Sequence, residues 1–161
     1  EISVGLSLCR VHDSLGPPGV QGAQMSVSKP FFTNIHKAPT RNMKLGRGTG
    51  IELINPEMGC HKVDVHINVI NDDSGPGEVH FHQNADNVYI VLEGILEVVV
   101  EGRRHLLKKD DVGYIPAGVV HTAGSAGGHG PTRVIEIYAP GGYDFHEVES
   151  FDNPVEIDAS D

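Results

Sequence analysis

Residues 75–94 read Gly75-Pro-Gly-Glu-Val-His80-Phe-His82-Gln-Asn-Ala-Asp-Asn87-Val-Tyr-Ile-Val-Leu-Glu-Gly94, and this stretch decides the fold. His80 and His82 stand at i and i+2, so on a strand both imidazoles leave the same face and can converge on one point. Imidazole is a borderline ligand suited to Fe, Mn, Zn, Ni or Cu, and two or three imidazoles leave coordination positions open. An H-x-H pair in a chain with 10 histidines is weak by itself; its surroundings carry the weight. After His82 comes a short polar stretch, then the apolar run Val88-Tyr-Ile-Val-Leu92, closed by Gly94.

Strand signals continue on both sides. Val63, Val65, Ile67 and Val69 alternate with Asp64, His66 and Asn68, the period-2 pattern of a half-buried strand. Asn71-Asp-Asp-Ser-Gly-Pro-Gly77 is a turn cluster. Residues 78–82, 88–92, 95–101, 104–107, 111–115 and 132–138 follow as strands, with Pro116-Ala-Gly118 marking another turn. Many short strands with no amphipathic helix predict an all-β sandwich or barrel. Residues 1–30 are expected to be irregular or mobile, because 15–24 are turn-rich with little to bury. The barrel is expected over residues 31–146.

The charge is −10, from 12 Lys plus Arg against 22 Asp plus Glu. Residues 147–161 carry six of the acids and no base, and read as a solvated acidic tail. Such a surface repels phosphate backbones, so no nucleic-acid partner is expected. No apolar run reaches the ~20 residues that cross a bilayer as a helix, so no membrane partner is expected either. Cys9 and Cys60 form no metal-knuckle spacing and no disulfide framework. A cytoplasmic protein is the default expectation.

Downstream stands Asp110-Asp-Val-Gly-Tyr-Ile-Pro116-Ala-Gly118-Val-Val-His121. With residues 75–94 this resembles the two signature motifs of the cupin superfamily. The first is a glycine, H-x-H, three or four residues, a glutamate, six residues and a glycine; the second is P-x-G, two residues and a histidine. The resemblance spans roughly Val63 to Tyr138 and implies a single jelly-roll β-barrel, the double-stranded β-helix. His80, His82 and His121 then take the family's histidine-ligand positions around one divalent transition metal ion. The alternative is a barrel that has kept the fold and lost the ion. Gly94 and Gly118 suit tight turns where a Cβ would clash. Small cupins commonly pair through an exposed sheet, which implies a homodimer.

The sequence departs from the pattern at the glutamate, which falls on Asn87. A neutral amide in place of a carboxylate raises the net charge of a divalent site and favours an anionic substrate. Asn87 can ligate, can hydrogen-bond a water at the ion, or can stand aside; Asp86 is the fallback carboxylate, disfavoured because neighbouring strand residues face opposite ways. The leading glycine of the second motif is Asp110 and its final asparagine is Ser125. Tyr89 and Val91 share parity with Asn87 and are pocket candidates, with Val91 more simply core. Tyr114 is a further pocket candidate. His66 is expected at the surface, Glu93 and Glu97 toward solvent, and residues 124–130 in a loop beside His121. Cys60 and His61, on a strand, would face opposite ways and form no catalytic pair.

The expected function is a metal-dependent enzyme acting on a small chelating molecule, with dioxygenase chemistry first and isomerase or lyase chemistry next. The alternatives are a cupin that binds or senses a small ligand without turning it over, and a barrel serving assembly or storage.

Overall fold

Period-2 alternation and turn glycines build eleven strands in the computed structural model, which describes residues 29–142 and 144–151. They are β1 (Thr40–Asn42), β2 (Gly48–Ile54), β3 (Asp64–Ile70), β4 (His80–Phe81), β5 (Asp86–Glu93), β6 (Ile95–Val100), β7 (Arg103–Lys108), β8 (Val112–Ile115), β9 (His121–Ser125), β10 (Thr132–Ala139) and β11 (His146–Glu147). Two short 3-10 turns, Lys44–Gly46 and Pro56–Met58, are the helical elements among the described residues. The turn-rich stretch near the N-terminus and residues 152–161 of the acidic tail lie outside the described residues.

The strands form two antiparallel sheets, ordered β1-β2-β3-β10-β5-β8 and β11-β4-β9-β6-β7. This is the expected all-β jelly roll. Between the sheets lies an apolar cluster of Ile70, Tyr89, Val91, Ile115 and Val134 from one side and Leu96 and Val98 from the other. Each such aliphatic side chain contributes roughly 1.5–3 kcal/mol by burial.

Register grades the inner wall of the six-stranded sheet from apolar to polar. Val134 on β10 lies between Asn68 and Val91. Two residues on, Glu136 lies between His66 and Tyr89, and two further, Tyr138 lies between Asp64 and Asn87. The polar end of this wall faces β4 and β9. So the alternation on β3 is as read, but its polar set, Asp64, His66 and Asn68, is the one that lines the cavity.

Three local expectations change. Gly124 and Ser125 belong to β9 rather than to a loop. Residues 75 and 76 cross directly over Gly124, where a Cβ would stand 1.7 Å from the Gly75 carbonyl oxygen. Cys60 and His61 sit in the turn before β3, not on a strand. Glu147 pairs with His80 through β11 and accepts from Lys44 at 2.9 Å, so the acidic segment begins as part of the sheet.

Candidate metal centre

His80 and His121 are direct partners across the β4–β9 pairing. His82 follows on the same face of the chain. Ring centroids are 4.4 Å apart for His80 and His121, 5.0 Å for His80 and His82, and 5.3 Å for His82 and His121. One ligating atom from each of the three residues lies within 4.8 Å of the others.

Each ring is held by its Nδ1. Nδ1 of His80 lies 2.8 Å from the Glu78 carbonyl, that of His82 2.7 Å from the Asp144 carbonyl, and that of His121 2.9 Å from the Val119 carbonyl. A carbonyl only accepts, so Nδ1 carries the proton and Nε2 presents a lone pair. The Nε2 atoms of His82 and His121 are buried with no hydrogen-bond partner among the described residues. Buried polar atoms are seldom left so. Nδ1 on a carbonyl with Nε2 bare is the arrangement that orients ligating histidines. Burial, aided by the neighbouring His121, pushes His80 down to about 3, and burial also lowers His82 and His121. All three are therefore neutral near pH 7, the form a metal requires. The donor set fits a divalent transition metal.

Asn87 is fully buried and its side-chain Nδ2 donates to Tyr89 Oη at 2.8 Å, which leaves Oδ1 without a partner. Asp86 turns the other way, accepting from Tyr114 Oη and from Ala117 N, both at 3.0 Å.

His80 and His82 open onto a cavity of about 760 Å³ whose far wall is charged. There Glu136 accepts from Asn68 Nδ2 at 2.8 Å and from Tyr138 Oη at 2.7 Å, and faces His66 Nε2 at 3.5 Å. His66 Nδ1 meets Asp64 at 3.1 Å. Burial opposes both charges, but these contacts bring His66 up to about 9 and Glu136 down to about 2. A buried ion pair results. Tyr138 joins the two groups, with its ring 4.8 Å from that of His82 and 5.6 Å from that of His66.

Residues 70–138 match the cupin domain family. That segment is a cupin domain. Among solved structures, the barrel is similar to the polyketide cyclase RemF from Streptomyces resistomycificus, with a TM-score of 0.64 and 17% identity over 79% of this chain and 91% of that one. It is also similar to KdgF from Halomonas sp. (TM-score 0.59, 20% identity, 72% of this chain and 97% of that one). An RmlC-like cupin from Shewanella frigidimarina NCIMB 400 gives a TM-score of 0.58 at 21% identity, over 72% and 96% of the two chains. At these identities the likeness shows the fold. None of the curated proteins matches the chain.

Within the cupin barrel the other sequence candidates divide. Tyr89 and Val91 both point inward as their parity implies, Tyr89 onto the cavity and Val91 into the apolar cluster. Tyr114 does not reach the cavity: it pairs with Val88 on the outward face and is 61% exposed. His66 is not at the surface but 6% exposed. Glu93 is exposed, whereas Glu97 is half-buried and pairs with Arg104 at 3.1 Å. Gly118 meets no clash; its positive φ of 83° is what suits glycine, while Gly94 combines positive φ with a close approach to Pro131 and Thr132.

Several cavity residues were not singled out from sequence. Asp144 holds His82 through its carbonyl and caps residues 84 and 85 through its carboxylate. Phe145 stacks on His80 with centroids 3.9 Å apart. Glu136 carried a readable signal, an acid between isoleucines on a strand in parity with Val134 and Tyr138. Asp144 and Phe145 carried none.

Proposed function

We propose that the protein is a metal-dependent enzyme of the cupin superfamily that moves a proton within a small chelating organic molecule. His80, His82 and His121 hold the ion, with Asn87 Oδ1 as the available fourth ligand. The carrying observation is the cluster of His80, His82 and His121, with bare, buried Nε2 atoms on His82 and His121, beside a cavity that His80 and His82 share with a charged acid/base group. A bound divalent ion supplies Lewis-acid polarisation of a carbonyl or enolate oxygen.

The chain's own residues supply the rest. The three Nδ1 bonds fix the imidazoles, and Phe145 covers His80 on one side. Glu136 orients the Tyr138 hydroxyl, and His66 keeps its proton and balances the Glu136 charge. Tyr138, between His82 and Glu136, is placed to relay a proton, its Oη taking one from the substrate as its own passes to the Glu136 carboxylate, and the reverse on return. This polar wall favours isomerase, lyase or cyclase chemistry over the dioxygenase chemistry first expected. Similarity to a polyketide cyclase is consistent with that class but lends the fold alone. Pairing of two copies belongs to the same proposal: β8 ends its sheet and exposes Val112 (64%) and Tyr114 (61%). Light scattering decides it.

The test is solvent-deuterium exchange into small 2-oxo and 2-hydroxy acids, followed by NMR without oxygen. The protein is loaded in turn with Fe, Mn, Zn, Ni and Cu. Exchange that needs a metal and falls at least about tenfold in Tyr138→Phe is expected. Turnover only with oxygen would restore the dioxygenase reading. Binding with no exchange or product under any metal would favour the non-catalytic binder.

A further inference from the structure

We propose that Arg47 recognises an anionic group in the cavity. The ligand taken there is then a small organic acid, chelating at one end and carrying a carboxylate at the other. The chelating end rests on the metal reading above; the carboxylate end stands on Arg47 itself.

Arg47 lies half-buried on the cavity wall just after the Lys44–Gly46 turn. Its Nη2 donates to the carbonyls of Gly75 and Ala123, each at 2.9 Å, which fixes the plane of the guanidinium. Its Nε is buried with no partner among the described residues. The other cations at the cavity are neutralised within the fold, Arg41 by Glu52, Lys44 by Glu78 and Glu147, and His66 by Glu136 and Asp64. No described carboxylate lies within ion-pair distance of Arg47; Glu136 and Glu78 act on it only from farther away. In a chain with 22 acids and 12 bases, a partly desolvated guanidinium bonded only to carbonyls is an exception. Removing such a charge from water is costly unless a partner arrives.

Two features make room for that partner. A Cβ on Gly77 would stand 2.2 Å from Nη1, so glycine there leaves the guanidinium its position. Ala123 is two residues from His121 on β9, so the carbonyl that anchors the cation lies about 7 Å along the strand from the backbone of a candidate ligand histidine. An all-neutral ligand set leaves the ion's charge uncompensated, and Glu136 is balanced by His66. Both ends of the cavity therefore favour an anion, and the planar fork of arginine suits a carboxylate.

Calorimetric titration tests the assignment with 2-oxoglutarate, its distal monoamide, 2-oxoadipate and glutarate. Each is run on the metal-free and the Co(II)-loaded protein, for wild type, Arg47→Gln and Gly77→Ala. The diacids are expected to bind more tightly than the monoamide. Their affinity should fall about ten- to a hundredfold in Arg47→Gln, while the monoamide changes less than about twofold. Gly77→Ala, which keeps the charge but displaces it, should weaken the diacids in the same direction. Cobalt content and cooperative unfolding of Arg47→Gln should match wild type. A visible cobalt spectrum that responds to the 2-oxo acids reports the chelating end separately. With no cobalt bound but glutarate affinity still dependent on Arg47, the metal reading fails and this assignment stands. Diacids binding no better than the monoamide, or equally well in Arg47→Gln, would overturn it.

Discussion

Replacing Glu136 with Gln keeps the shape of the cavity wall and removes one charge from the buried pair. Raising His66 from 6.5 to about 9 corresponds to about 3 kcal/mol. The lowering of Glu136 to about 2 reports the same contact from its other side and is not counted again. Asp64 holds part of the His66 interaction, so the Gln variant is expected to lose about 2 kcal/mol, or about 4–8 °C in Tm. The sign depends on pH. A histidine raised on folding stabilises fully below its unfolded value near 6.5, and that contribution is lost as pH rises through 9. Urea unfolding of both proteins should therefore show the gap at pH 6. By pH 10 it should close or reverse, because wild type then buries a carboxylate facing a neutral ring. An equal gap at both pH values, or none at pH 6, would refute the ion pair.

The metal-free protein should be labile to acid, because His80 is neutral when folded down to about 3 while the unfolded chain takes up its proton near 6.5. Unfolding free energy should fall by about 3 kcal/mol between pH 6.5 and 4 from His80 alone, and a flat profile in urea melts would contradict this. Gly124→Ala drives a Cβ into the Gly75 backbone and should cost about 2–3 kcal/mol or more, read by urea unfolding, with a near-neutral result refuting that close approach. Asn87→Asp places a carboxylate at a fully buried position. It should destabilise the metal-free protein by about 2 kcal/mol and tighten Mn(II) at least about tenfold in competition titrations. Unchanged Mn(II) affinity would remove residue 87 from the ligand set.

The legible parts were those where local parity settles the geometry. His80 and His82 share a face whatever the fold, and the inward run of Asn87, Tyr89 and Val91 on β5 follows from the same rule. Residues whose side depends on register or closure were misplaced or overlooked. Alternation on β3 separated Asp64, His66 and Asn68 from the valines, but alternation says only that two faces differ, not which looks inward. In a barrel with a polar cavity the polar face does. Tyr114 was ambiguous until its pairing with Val88 put it outside. Gly124 read as loop because glycine is common there; its need for no side chain arises from residues 75 and 76, nearly fifty positions away. Asp144, Phe145 and Arg47 reach the site only through long-range closure, which leaves no local mark.

Elemental analysis of protein purified without added metal bears most directly on the three-histidine centre, run beside the His80→Ala and His121→Ala variants. About one transition-metal ion per folded chain is expected in wild type, with a loss of at least about tenfold in affinity in each variant. Wild type that takes up no metal from any divalent salt, or variants that keep full occupancy, would contradict it.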